Sequence, residues 1–150
     1  MTFYEEEIQK NIDNLEREGR LSLTKDFIQH GNVSVYEHCL SVCICSIKIA
    51  RMLRIRYDLR ALIRGALLHD YFLYDWHVND DPNRKLHGFF HPSVALENAL
   101  KDYELSKKEQ DIIKHHMFPL TIIPPMCREA WLVCLADKIC AGKETLLRRQ

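Results

Sequence analysis

Seven residues stand out as an ordered set of candidate ligands for divalent metals: His38, His69, Asp70, His91, His115, His116 and Asp137. Imidazole nitrogen and carboxylate oxygen together suit hard or borderline ions. His69 and Asp70 are adjacent, and the others are dispersed on both sides of that pair. One carboxylate has two oxygens, so such a set can hold two ions that share a bridge. The chemistry it would support is metal-assisted hydrolysis. That requires neutral imidazoles and carboxylates converging from different elements, and an open position for a water whose pKa the ions lower.

The elements that must position these groups read as helices. Residues 3–18 place Ile8, Ile12 and Leu15 on one face, and Gly19 ends that helix. A short helix is expected over Thr24–His30, closed by Gly31-Asn32. Ser34 and Glu37 fit a capping box, which starts a helix running to about Leu53 with His38 one turn in. Val35, Cys39, Val42 and Ser46, flanked by Leu40, Ile44 and Ile47, make this helix largely buried. Asp58 can cap the helix that ends in His69-Asp70. Adjacent residues on a helix point roughly 100° apart, so both reach one site only if the helix ends or bends there.

Residues 78–88 hold Asn79, Asp80, Asp81, Pro82, Asn83 and Gly88, which is loop chemistry. His91-Pro92 is expected to open the next helix, with Pro92 in the first helical position. Ser106 and Glu109 form a second capping box, and that helix ends near His115-His116. A last helix runs from about Arg128 to Leu147 and carries Asp137. No strand pattern is evident. The chain is therefore expected to be all-α, a single domain over residues 1–150, with its motif-bearing core over about 34–142 and a helical extension over 1–31.

Composition narrows the function classes. Lys plus Arg number 21 and Asp plus Glu number 21, so the formal net charge is zero and the pI is near 7.1. That balance supplies no long-range field for an extended nucleic acid or an anionic membrane. Residues 1–10 carry three consecutive glutamates and no apolar core, unlike a signal peptide. The six cysteines form no CxxC pair and mostly sit among aliphatic residues, so they read as reduced core side chains of a cytoplasmic protein.

The ordered set His38, His69-Asp70, His91, His115-His116, Asp137 resembles the HD-domain superfamily of metal-dependent phosphohydrolases. Its core signature matches His38, His69-Asp70 and Asp137, and the further histidines resemble its two-metal subset. The resemblance implies an HD-type helical bundle with the metals between helices. One ion would take His38, His69, Asp70 and Asp137. The other would take Asp70 as bridge with His91 and one or both of His115 and His116. Hydroxide between the metals would attack phosphorus in a nucleotide or other small phosphate ester. The ligands accept Fe, Mn, Co, Ni or Zn. Leu73 stands where HD-GYP relatives carry Lys, and no GYP follows His115-His116, so a cyclic di-GMP phosphodiesterase is poorly supported.

Other residues carry weaker readings. Arg64, Lys85, Lys114 and Lys138 are candidates for gripping phosphate, with Lys138 the preferred one. His87, or His77, could donate a proton to the leaving oxygen, although both flank a polar loop of solvated character. Tyr71, Tyr74 and Trp76 could stack on a base, but aromatic residues after a buried helix usually belong to the core. The charged first helix is a solvated face that leaves room for contacts between copies in a homo-oligomer. Two rival functions share the ligand set: a di-iron oxygenase, and a non-catalytic module that senses a nucleotide.

Overall fold

The computed structural model describes residues 1–74 and 87–148. Helix α1 spans Phe3–Glu18 and opens on a capping box: Thr2 Oγ1 accepts from the Glu5 amide at 3.2 Å, and the Thr2 amide donates back to Glu5 at 2.9 Å. Gly19 ends it with an extended backbone. A Cβ there would lie 2.4 Å from the Tyr103 ring, so glycine serves a close approach rather than an unusual φ.

Between α1 and the next long helix the structure departs from expectation. A 3-10 helix, Leu21–Asp26, is followed by a hairpin of β1 (Ile28–His30) and β2 (Val33–Ser34). The strands are antiparallel, with Ile28 opposite Ser34 and His30 opposite Val33. Gly31 at φ 57° makes the tight link. The expected Thr24–His30 helix is absent because a two-residue Gly-Asn link turns the chain back on itself.

Helix α2 is Val35–Leu53, and Ser34 Oγ accepts from the Glu37 amide at 3.1 Å. Helix α3 is Leu59–Leu68, capped by Asp58 Oδ1 accepting from the Ala61 amide at 3.0 Å. Helix α4 is His87–Asp102, so Pro92 lies inside it and His91 sits more than a turn from its start. This corrects the expected helix start at His91-Pro92. Helices α5 (Lys107–His115) and α6 (Arg128–Arg148) complete the chain. The all-α class stands. Among the described residues no helix is long and apolar enough to cross a membrane, and all six cysteines are free.

The core forms where α2, α3, α5 and α6 pack on one another, with α4 against α5 and α1 against α3. Val42, Ile47, Leu62, Leu67, Ile112 and Val133 are buried at these contacts. A Cβ on Gly65 would meet Ile112 Cβ at 2.9 Å, so its absence lets α3 approach α5 closely. Apolar burial at roughly 25 cal/mol per Å² is the main stabilising contribution.

Arg64 belongs to this frame and not to a phosphate grip, a correction. It is 3% exposed, Nε donates to Glu109 Oε1 at 2.8 Å, and Nη2 donates to the Glu104 carbonyl at 3.0 Å. Arg64→Ala takes the close cation from a buried carboxylate, leaving Glu109 the Ser106 hydroxyl at 2.9 Å and Arg60 at 3.9 Å. The expected loss is about 3–5 kcal/mol of unfolding free energy, read as a lower urea midpoint. A loss under about 1 kcal/mol would mean that Ser106 and Arg60 suffice for the Glu109 charge.

Candidate metal centre

Helix α3 stops at Leu68, and the next residues tighten into turns. His69 caps the helix, and the Tyr71 amide donates to the Leu68 carbonyl at 3.1 Å. This break lets His69 and Asp70 face one site. Helix α4 holds the turn in place: Asn98 Nδ2 donates to the carbonyls of Tyr71 at 3.2 Å and Phe72 at 2.9 Å. The Tyr71 hydroxyl donates to Asp102 at 2.6 Å and accepts from the Arg20 amide at 2.7 Å. Tyr71 is therefore buried framework, and the stacking role considered for it does not fit.

Around this turn two groups of ligand-type side chains converge, all buried. His38, His69, Asp70 and Asp137 form one, and Asp70, His91 and His116 form the other. The potential ligand atoms within each group lie within 4.8 Å of one another. Asp70 belongs to both and divides its oxygens between them. Oδ2 lies 3.5 Å from His38 Nε2 and 3.3 Å from His69 Nε2. Oδ1 lies 3.1 Å from His91 Nε2 and 3.2 Å from His116 Nε2.

The other ring nitrogens are already committed. His69 Nδ1–H donates to the Ala66 carbonyl at 2.6 Å, and His116 Nδ1–H donates to the Ile113 carbonyl at 2.8 Å. His38 Nδ1–H donates to Glu144 at 2.9 Å. Carbonyl and carboxylate oxygens only accept, so these rings carry their proton on Nδ1 and, when neutral, present a bare Nε2 inward. Partners of this kind fix tautomer and ring orientation for metal ligation.

Bare nitrogens aimed at carboxylates are repulsive unless a positive charge lies between them. His38 Nε2 is 2.8 Å from Asp137 Oδ1, and His69 Nε2 is 3.2 Å from the same oxygen. Without an ion, protons fill that role. Burial opposes the His38 cation, but Asp137 and Glu144 outweigh it and push its pKa up to about 10. Burial likewise opposes the His69 cation, yet the Asp70 charge raises it well above the ordinary value. Burial would raise both carboxyls, while His38 and His69 hold Asp137 well below the usual range, and His69, His116 and His91 do so for Asp70. His116 is pulled down, chiefly by burial.

The second group has a different mismatch. Asp70 Oδ1 is buried and has no hydrogen-bond partner among the described residues, because neither histidine aligns an N–H with it. His91 and His116 present their Nε2 atoms to each other at 2.8 Å. An orphaned carboxylate oxygen beside two imidazole nitrogens fits a divalent cation.

Competition between protons and ions has a sign. Below about pH 10 the ion-free His38 ring holds a proton that an ion must displace, and the raised His69 ring adds to that competition. Affinity at the His38 group should therefore rise about tenfold per displaced proton per pH unit, up to about a hundredfold. The ion-free fold gains stability from the His38 proton that is complete below about 6.5 and is lost as pH rises through about 10. Chelator competition at pH 7 and 8 measures the affinity; no change would show that the rings bind no extra proton.

The remaining expected residues fall elsewhere. His115 joins neither group: its Nδ1–H donates to Asp111 at 2.6 Å. Successive helix positions diverge by about 100°, so only His116 turns inward. Lys138 is exposed beside the centre, its ammonium 3.4 Å from the His116 carbonyl and 3.1 Å from Cys134 Sγ. Lys114 is exposed on α5. Trp76, His77, Lys85 and the loop's Asp80 and Asp81 lie outside the described residues, as does the side chain of His87.

Two contributors escape a sequence reading. Glu144 lies two turns after Asp137 on α6, and that spacing is the signal that could have found it. Gln29 donates to Asp70 Oδ2 at 3.0 Å from a strand that was not expected.

No curated protein and no solved structure gives a significant match to the chain. The family model for the HD domain matches residues 35–142, from the first residue of α2 through Asp137 and beyond, so the chain belongs to the HD-domain family.

Proposed function

We propose that this chain is a metal-dependent phosphohydrolase that holds two divalent cations and acts on a nucleotide or other small phosphate ester. The observation that carries the reading is the division of Asp70, whose Oδ2 serves one ligand group and whose Oδ1 serves the other. His38, His69, Asp70 and Asp137 would hold one cation, and Asp70, His91 and His116 the second. Bound there, two cations supply Lewis acidity toward phosphoryl oxygens and lower the pKa of water.

The chain's own groups do the rest. Glu144 and the Ala66 and Ile113 carbonyls keep three imidazoles oriented and basic toward the centre. Burial keeps His116 neutral. Lys138, next to Asp137 in sequence and with its ammonium 3.4 Å from the His116 carbonyl, would meet a phosphate oxygen. His87 is proposed as the proton donor to the leaving oxygen on its sequence position alone. The balanced charge favours a small substrate over a polyanion. Six free cysteines agree with a reducing compartment, the cytoplasm.

The test is elemental analysis of protein purified without chelator, followed by a screen of phosphomonoesters and phosphodiesters under Mn, Fe, Co, Ni and Zn. Two metals per chain and turnover under nitrogen are the expected result. Turnover that needs iron and oxygen and vanishes with Mn would replace hydrolysis by oxygenase chemistry. Tight nucleotide binding with no turnover under any metal would make the chain a sensor.

A further inference from the structure

Gln29 is 6% exposed, yet its amide is only half satisfied. Nε2 donates to Asp70 Oδ2 at 3.0 Å, whereas Oε1 is buried and has no hydrogen-bond partner among the described residues. Exchanging the two amide atoms does not remedy this, since a carbonyl oxygen would then face a carboxylate, acceptor against acceptor. The orientation is thus fixed by Asp70. The amide oxygen and nitrogen share one carbon and lie roughly 2.3 Å apart. Oε1 is therefore within about 5.5 Å of the oxygen that Asp70 gives to the first ligand group.

A buried acceptor in that place calls for a donor, and the described residues supply none. Its neighbour Asp70 is an acceptor, and His38, His69 and His116 use their Nδ1 protons elsewhere. An O–H group bound at the centre, within reach of Asp70 Oδ2, would satisfy it.

We propose that Gln29 is a positioning residue of the candidate metal centre: Nε2 fixes the tilt of the Asp70 carboxylate, and Oε1 accepts a hydrogen bond from the water that attacks the substrate. This rests on the two-cation reading above. The hairpin acquires a purpose on this view, because it delivers Gln29 to Asp70 across a long stretch of sequence. A helix over the same residues would not place it there.

Two variants separate the halves of the amide. Gln29→Leu removes donor and acceptor at similar volume. Gln29→Glu keeps an acceptor but brings a second carboxyl against Asp70. Each is loaded with Mn(II) beside the wild type. The exchange splitting between the two ions is read by electron paramagnetic resonance, and folding by thermal melting. Hydrolysis of p-nitrophenyl phosphate and of a nucleoside monophosphate gives kcat and KM.

Gln29→Leu should melt within a few degrees of the wild type, retain two Mn(II), alter the exchange splitting, and lose about 10–100-fold in kcat on both substrates at constant KM. Gln29→Glu, which preserves shape, should also alter the splitting, because the bridge now faces a like charge. It carries the test if the leucine variant fails to fold. A KM increase confined to the nucleoside monophosphate would assign Oε1 to a substrate hydroxyl and overturn the role with water. A wild type that binds no manganese pair sinks the metal reading and this inference with it. A wild-type pair whose splitting and kcat survive Gln29→Leu unchanged sinks this inference alone.

Discussion

If the proposed two-cation reading holds, Asp70→Asn should abolish metal pairing while leaving the helical frame standing. The side chain is 1% exposed and has nearly the volume of asparagine, so packing is preserved. The chemistry is not. Asparagine can present one acceptor oxygen, and its amide nitrogen would turn donor hydrogens toward His38 and His69 or toward His91 and His116, wherever the other oxygen stood. It also removes the charge shared by both ligand groups.

Metal content should fall from two per chain to below one. Transition-state stabilisation by the ions is worth several kcal/mol. At about 1.4 kcal/mol per tenfold, turnover should drop roughly a thousandfold or more. The His38 and His69 cations of the ion-free protein, which Asp70 helps to raise, should shift down together. Elemental analysis, steady-state rates and circular dichroism on the same preparation provide the check. A variant that keeps two metals would show that another group bridges them.

How much of this centre is legible in the sequence depends on the range of the interaction that fixes each part. The starts of α2, α3 and α5 are local events, one side-chain oxygen and one amide three residues on, and Ser34, Asp58 and Ser106 announce them. The stop at His69-Asp70 is legible through the candidate site: two adjacent residues reach one site only where the helix breaks. Pro92 misleads, because proline signals a first turn yet is tolerated deeper in α4. The hairpin is too short for alternation to register, and its Gly-Asn link also reads as a helix end.

His115 is misplaced for a different reason. A pair of histidines gives no sign of which one faces inward until the roll of α5 is fixed by Ile112 and Ile113 in the core. Arg64 is a phosphate candidate in the sequence only because it lies near His69, and its partner Glu109 lies on another helix. Gln29 had no signal at all: its role comes from a contact with Asp70 that only the folded chain makes.

His91→Ala distinguishes a two-metal centre from a one-metal centre. His91 and His116 are the imidazoles of the second group, and His116 is also 3.2 Å from Asp70 Oδ1. Removing His91 leaves that group one imidazole and half a carboxylate, too few to retain an ion against solvent. The first group loses nothing, since His38, His69, Asp70 and Asp137 all remain. Two metals per chain should therefore become one. The residual ion should keep its pH-dependent affinity, because the rings whose protons it displaces are untouched.

Turnover should fall by roughly a hundredfold to ten-thousandfold, as one of two Lewis-acid contributions of several kcal/mol is lost. Alanine at this position leaves a cavity beside Phe72, whose ring packs edge-on against His91 at 5.7 Å. His91→Gln serves as the control for packing, and it should show the same loss of one metal. If both variants retain the wild-type metal content, His91 is not a ligand. The chain would then be a mononuclear member of its family, with Asp70 Oδ1 orphaned for some other purpose.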